Sequence, residues 1–289
     1  MVDNNINKKQ IVTYMPENLQ EALEIIDKDE VIILAGGTDL MVRRKSPSGL
    51  IPKFDKNTLF VNNIEELKNI TKDDNYINIG SGCTLSKISD NSIIPDYVKE
   101  VIWDFASLGI RNAATMVGNI CNASPAGDTL PLLYALNAKL VIKSLKEEKI
   151  VDIKDFIKGP GRHILNKNEI VTEIKIPLEN FNKFYYKKVG TRKATAISKL
   201  SFVGIARLKA NVVEDIRIAF GAVAATIVKS DDLEKRFVGK TLEEIDLIKG
   251  DITDEYAKLI TPIDDQRSNK NYRKKVAINL LNDFIKQLS

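Results

Sequence analysis

Two glycine-rich polar segments, each set against apolar sequence, most constrain what this chain can form. LAGGTDL covers residues 34–40 and follows the apolar run VII, whereas TMVGNICNASPAGD covers residues 115–128 and lies between apolar stretches. Glycine permits positive φ angles and close backbone approach, and hydroxyl and amide side chains add directed hydrogen bonds. The pair therefore predicts a cradle for a phosphate-bearing ligand, although either segment alone is also typical of a tight turn.

The composition limits the chemistry that the side chains can perform by themselves. The chain of 289 residues has one histidine, His163, and two cysteines, Cys83 and Cys121. One histidine among turn residues excludes a histidine-rich metal site and leaves little basis for a nucleophilic triad. Two cysteines cannot supply the thiolates that an iron–sulfur cluster or a cysteine-type zinc site usually takes. Any enzymatic chemistry is therefore expected to come from a cofactor.

Charge and hydropathy predict a cytoplasmic protein that binds neither nucleic acid nor membrane. The net charge is +4, from 43 Lys and Arg against 39 Asp and Glu, and it is spread along the chain. The longest basic run, Arg43-Arg44-Lys45, is too short for a nucleic-acid-binding tract. No stretch approaches the ~18 apolar residues of a membrane span, and the polar N-terminus lacks the apolar core of a signal peptide.

The pattern along the chain predicts two domains, which we place at residues 1–177 and 178–289. In the first, MPENLQEALEII has helical spacing, with Asn18 and Glu21 as a capping pair, and VIILA is typical of a buried strand. Helical spacing also appears in IEELKNI and over residues 95–110. LENFNKF, residues 178–184, forms a polar linker. Beyond it, FYYKKVG, ISKLSFVGIARLKA and IRIAFGAVAAT predict an antiparallel sheet, and YRKKVAINLLNDFIKQLS predicts a helix with one broad apolar face.

Several segments, taken in order, resemble the FAD-binding subunit of molybdenum hydroxylases, the xanthine dehydrogenase and carbon monoxide dehydrogenase family. LAGGTDL resembles that family's first flavin loop, and IGSGCTLSKI is similar to one of its strand motifs. FASLGIRNAATMVGNICNASPAGDTLP resembles the family's longest motif, and FYYKKVGTRKATAIS is similar to its K-x-G-x-R-x-A segment. ITPIDDQRSNKNYRKKVAINLL is similar to the family's C-terminal motif, so the resemblance runs from about residue 11 to residue 285.

The resemblance implies a fold and a set of FAD contacts, with no catalytic side chain and no metal ligand. It implies an α+β protein: a two-subdomain FAD-binding fold of the vanillyl-alcohol-oxidase (PCMH) type, at about residues 1–57 and 58–177, and an α+β C-terminal domain. Phe105 would contact the adenine, Asp128 would accept from the ribityl or adenosine region, and Lys188 would lie near the isoalloxazine. The implied FAD-binding residues are Leu34, Ala35, Gly36, Gly37, Thr38, Asp39, Leu40, Phe105, Thr115, Val117, Gly118, Asn119, Asp128, Val171 and Lys188.

Two of these residues have alternative interpretations that a structure can separate. The family usually has Gly-Gly-Asn where this chain has Val117-Gly118-Asn119, and valine would be strained if that position required a positive φ. Asp128 lies at the start of DTLPLLYAL, so its side chain also suits the N-cap of a helix.

The resemblance also implies a function and partners. The chain would be the FAD-dependent electron-transfer subunit of a molybdenum hydroxylase complex. A molybdenum-cofactor subunit would oxidise the substrate, a [2Fe–2S] subunit would pass electrons to the FAD, and NAD⁺ would accept them as hydride. Two cysteines disfavour the branch whose flavin subunit carries a further [4Fe–4S] cluster. Two alternatives stay open: a stand-alone flavin-dependent oxidoreductase with its own small organic substrate, and a non-catalytic nucleotide-binding or assembly subunit.

Overall fold

The structure, a computed structural model, describes residues 11–46 and 54–288; the polar stretch at residues 1–10 lies outside the described residues. The first elements are β1 (Thr13–Tyr14), α1 (Leu19–Lys28), β2 (Val31–Leu34), α2 (Leu40–Arg43) and β3 (Asn57–Phe60). The strands form a parallel sheet in the order β1–β3–β2. Asn18 Oδ1 accepts a hydrogen bond from Glu21 N at 2.9 Å, which confirms the predicted cap of α1.

The next region is built on a five-stranded antiparallel sheet. Its elements are a 3₁₀ turn at Glu65–Lys68, β4 (Ile70–Lys72), β5 (Tyr76–Gly80), α3 (Leu85–Asp90), α4 (Asp96–Trp103), α5 (Leu108–Arg111), α6 (Met116–Cys121), α7 (Leu130–Ala135), β6 (Lys139–Lys143), β7 (Glu148–Asp152), α8 (Ile153–Phe156), β8 (Ile157–Gly159), β9 (Arg162–His163) and β10 (Ile170–Pro177). The strand order is β4–β5–β10–β6–β7, and β8 pairs with β9 separately. Apolar side chains of α3, α4, α6 and α7 share one buried core with this sheet.

The last region is an antiparallel sheet covered by helices. Its elements are β11 (Lys183–Val189), β12 (Leu200–Lys209), β13 (Val212–Gly221), α9 (Asp231–Lys235), α10 (Leu242–Leu259) and α11 (Lys270–Lys286). The strands pair in chain order, which confirms the predicted antiparallel sheet. Phe284 of α11 packs against Gly204 of β12, where an added Cβ would lie 2.5 Å from the ring. Among the described residues, no helix is both long and apolar enough to cross a membrane.

The structure corrects three expectations about individual elements. Helical spacing over residues 95–110 predicted a helix, but the chain forms two, α4 and α5, and Ala106 between them has a φ of +46°, which a right-handed helix does not contain. The segment IEELKNI forms only the short 3₁₀ turn. The apolar run at 31–34 predicted a buried strand, yet all four residues of β2 are only partly buried. Strand β2 is therefore less enclosed than its apolar sequence predicts.

The surroundings of Gly204 and Gly250 predict opposite effects of alanine substitution on the free energy of unfolding. Gly204→Ala should lower the free energy of unfolding by about 1–3 kcal/mol, because the new methyl group overlaps a buried ring. Gly250→Ala, on α10, should raise it by about 0.5–1 kcal/mol, because nothing lies within 4 Å of the added Cβ and alanine favours helix. Urea unfolding of both variants measures the effects, and equal changes would contradict the packing described.

Candidate functional site

The first predicted segment forms a tight turn between β2 and α2. Leu34 ends β2, and Leu40 begins α2. Between them, Gly37 has a φ of +67°, in the left-handed region that glycine adopts without steric cost. Asp39 is exposed and pairs with Arg43 at 2.7 Å, whereas the rest of the turn is partly buried. The turn thus presents its backbone beside a partly buried apolar strand.

Gly36 joins this turn to the second predicted segment. A Cβ atom on Gly36 would lie 1.8 Å from the carbonyl oxygen of Ala113 and 3.0 Å from Ala114 Cα. Real Cβ atoms do not approach a backbone oxygen so closely, and only glycine therefore permits this packing. The close approach that Gly36 allows is between the first segment and Ala113-Ala114, which directly precede the second segment.

The second segment is not the bare loop that its composition predicted, because it contains helix α6. Thr115 is the N-cap of α6, and its Oγ1 accepts a hydrogen bond from Gly118 N at 3.0 Å. Val117 lies within α6 at a helical φ and is 8% exposed, so the strain expected of a valine there is absent. Asn119 Oδ1 accepts from Thr129 Oγ1 at 2.7 Å, which ties the end of the segment back to α6.

Asp128 lies at the centre of a buried polar cluster. Its Oδ2 accepts from Lys188 Nζ at 2.8 Å, and its Oδ1 accepts from Ser198 Oγ at 2.7 Å. The side chains of Asp128 and Lys188 are 11% and 6% exposed. The N-cap of α7 is Thr129, so the helix-capping alternative for Asp128 is wrong. The carboxylate instead links the second segment to the C-terminal sheet.

Lys188 also connects this cluster to the segment that carries Phe105. Its Nζ donates to the carbonyl oxygen of Asp104 at 2.9 Å, directly before the partly buried Phe105. Thr195 N donates to the carbonyl oxygen of Ala106 at 3.0 Å, immediately after Phe105. Asp128 and Lys188 are therefore in direct contact, and the backbone on either side of Phe105 is tied to Lys188 and to Thr195.

Tyr186 adds to this region a buried hydroxyl that could donate a hydrogen bond. The Tyr186 side chain is buried, and its hydroxyl has no hydrogen-bond partner among the described residues. Burial raises the pKa of Tyr186 well above its usual range, and the negative charge of Asp128 and Asp104 adds to the rise. Burial also raises the pKa of Asp128, whereas Lys188 and Ser198 lower it. A buried donor without a partner suits a cluster that receives a polar group of a ligand.

Val171 was predicted as a contact of the cofactor, whereas Ser198 and Tyr186 were not. Val171 lies on β10 opposite Ile142 and is 2% exposed, so its side chain offers little surface to a ligand. Ser198 and Tyr186 belong to the cluster but were not predicted from the sequence. Both lie in the run FYYKKVGTRKATAIS, where polar residues of a strand and its following loop look alike whether they face solvent or a buried carboxylate.

The groups present fit the FAD that the resemblance implies. An extended anionic dinucleotide needs backbone and hydroxyl donors for its phosphates, apolar or aromatic surface for its rings, and a few directed polar contacts. The turn at Gly37, the partly buried Phe105 ring and the unpartnered Tyr186 hydroxyl supply these three kinds of group.

Family models and solved structures match both halves of the chain. Residues 7–179 match the FAD binding domain in molybdopterin dehydrogenase, and residues 184–288 match the CO dehydrogenase flavoprotein C-terminal domain. Carbon monoxide dehydrogenase from Hydrogenophaga pseudoflava superposes with a TM-score of 0.86 at 21% identity, over 95% of this chain and 96% of that chain. Quinoline 2-oxidoreductase from Pseudomonas putida 86 gives 0.84 at 20% identity, over 96% of each chain. The predicted α+β fold is confirmed.

Curated relatives agree over most of the chain. The glyceraldehyde dehydrogenase medium chain of Sulfolobus acidocaldarius is 34% identical over 264 residues, which are 90% of this chain and 92% of the relative. The xanthine dehydrogenase FAD-binding subunit of Escherichia coli O157:H7 is 28% identical over 225 residues, 75% of each. The resemblance inferred from the sequence motifs is confirmed. The chain belongs to the family of FAD-binding subunits of molybdenum hydroxylases, the xanthine dehydrogenase and carbon monoxide dehydrogenase group, and its cofactor is FAD.

Proposed function

We propose that this chain is the electron-transfer subunit of a complex whose other chains carry the molybdenum cofactor and the [2Fe–2S] centres. The observation that carries the proposal is the extent of the match, since the chain covers 92% of a relative that is itself named a medium chain. The candidate site agrees with this role, because its groups bind and orient a ligand: a glycine turn, an aromatic ring and a buried ion pair. Substrate oxidation would then take place on the molybdenum subunit.

We assign NAD⁺ as the electron acceptor and the cytoplasm as the location of the complex. Bound FAD supplies the conversion between one-electron transfer from [2Fe–2S] centres and two-electron transfer, as hydride, to a nicotinamide. The residues of this chain contribute the electrostatic surroundings for that conversion. Lys188 provides a cation that is already held in place by Asp128 and by the carbonyl oxygen of Asp104.

We further assign the FAD contacts to two domains, residues 1–177 and 178–289. In the first domain, the turn at 34–40 and the start of α6 would hold the phosphates, and Phe105 would contact the adenine. Lys188 would contribute from the second domain, close to the isoalloxazine. The pair that Lys188 forms with Asp128 is buried, so the site is closed by a contact between the proposed domains.

Purification of the native complex on a tag carried by this chain tests the proposal. We expect molybdenum, iron and FAD in the same complex, and we expect NAD⁺ to reoxidise its reduced flavin. Reoxidation by a dye but not by NAD⁺ would remove the acceptor assignment and leave the subunit role. Turnover of a small organic substrate by the isolated chain would favour the stand-alone oxidoreductase, and absence of released flavin after denaturation would favour a non-catalytic subunit.

The packing of Gly36 predicts that a larger residue at this position lowers flavin retention. Gly36→Ala should strip most of the flavin from the purified protein, because the methyl group would overlap the Ala113 carbonyl oxygen and separate the two segments. Gly109→Ala is the matched control on nearby α5, where nothing lies within 4 Å of the added Cβ. The ratio of flavin to protein after denaturation measures both. A full flavin complement in Gly36→Ala would show that the contact between the segments is not required.

A further inference from the structure

Ser198 is a fully buried serine that holds one oxygen of Asp128. It is 0% exposed, and its Oγ donates to Asp128 Oδ1 at 2.7 Å. The other oxygen, Oδ2, accepts from Lys188 Nζ at 2.8 Å. Because each carboxylate oxygen has its own donor, the side chain of Asp128 is held in one rotational orientation about its terminal bond.

We propose that Ser198 is a positioning residue for the flavin site, which sets the orientation of the Asp128 carboxylate and, through it, of the Lys188 ammonium. The inference rests on the proposed FAD contacts of Asp128 and Lys188. Without the Ser198 hydroxyl, Oδ1 would be a buried charged oxygen that lacks its donor. The carboxylate could then rotate about its terminal bond, and Oδ2 would no longer hold Lys188 in its present place.

The backbone that leads into Ser198 is fixed in a costly conformation. Thr195 has a φ of +51°, which is rare for a β-branched residue and normally unfavourable. Arg192 holds it there, because its guanidinium donates to the carbonyl oxygen of Thr195 at 2.8 Å and to that of Ala194 at 3.0 Å. The hydrogen bond from Thr195 N to Ala106 anchors the same turn beside Phe105. Such strain persists where the surroundings determine the position of a segment, and here that segment delivers Ser198.

Ser201 offers a matched control three positions further along the chain. It is also 0% exposed, but its Oγ has no hydrogen-bond partner among the described residues. Ser201 pairs with Lys188 across the sheet, but its Oγ packs against Gly221 of the neighbouring strand. Ser201→Ala therefore removes the same hydroxyl from the same degree of burial without depriving a carboxylate of a donor. Ser198→Thr is the conservative variant, since it keeps a hydroxyl at the position.

The test compares FAD affinity in the full chain, within its purified complex, for wild type, Ser198→Ala, Ser198→Thr and Ser201→Ala. Equilibrium dialysis against FAD from pH 5 to pH 8 gives the dissociation constants. We expect Ser198→Ala to bind FAD about tenfold more weakly, the scale of one lost hydrogen bond to a charged group. We expect Ser198→Thr to recover much of the loss and Ser201→Ala to match wild type.

The pH profile separates positioning from a general effect on stability. Burial raises the pKa of the Asp128 carboxylate, Lys188 and Ser198 lower it, and Asp104 raises it. Removal of the Ser198 hydroxyl therefore raises the pKa of Asp128 further, and the carboxylate is protonated at a higher pH. We expect FAD binding by Ser198→Ala to weaken on acidification at a higher pH than binding by wild type.

Three outcomes would overturn the inference. Wild-type affinity and pH profile in Ser198→Ala would show that the hydroxyl does not position the site, and the proposed function would stand because wild type still binds FAD. Equal losses in Ser198→Ala and Ser201→Ala would assign the effect to packing. Failure of the wild-type chain to bind FAD at all would instead remove the proposed FAD contacts on which the inference depends.

Discussion

The buried ion pair between Asp128 and Lys188 is the interaction on which the arrangement of the site depends. Two charges removed from water are tolerated only when each is paired and hydrogen-bonded. Both conditions hold here, since Asp128 also accepts from Ser198 and Lys188 also donates to the Asp104 carbonyl oxygen. Removal of one partner from such a pair typically costs about 3–5 kcal/mol, because the other charge stays buried. The pair therefore fixes the position of β11 relative to the segment that ends at Asp128.

A steric constraint acts on the other end of the same stretch of chain. Gly36 packs on the backbone of Ala113, where no larger residue fits, whereas Asp128 is held electrostatically. Between them, Asn119 is tied to Thr129. The stretch from residue 113 to residue 128 is thus held at both ends and in the middle by contacts within the protein. A preformed site loses less conformational entropy when it binds an extended cofactor, which favours retention of FAD.

The sequence patterns predict the C-terminal sheet and the family's FAD-binding motifs, and the predictions that failed did so for physical reasons. Short apolar runs predict the C-terminal strands because both faces of that sheet are buried, one against the C-terminal helices and the other in the core of the large sheet. The break of the helix at Ala106 gave no signal, since alanine is a good helix former and its positive φ is imposed by surrounding contacts. Helix α6 was missed because glycine and asparagine disfavour helix, and Thr115 supplies the cap that compensates. The role of Ser198 depends on a contact with Asp128, and spacing along the chain carries no information about that distance.

Val117 shows how the two glycines of the family motif can have separate roles. In this chain the first position is a valine that packs into the core of the large sheet at a helical φ, so the position tolerates a β-branched side chain. Gly118 is exposed, and a Cβ there would lie 2.9 Å from Thr115 Oγ1, the atom that caps α6. A side chain at 118 would therefore crowd the capping hydroxyl and cover the outward face of the helix start. The first position of the motif thus serves the core, and the second leaves the surface at the start of α6 uncovered.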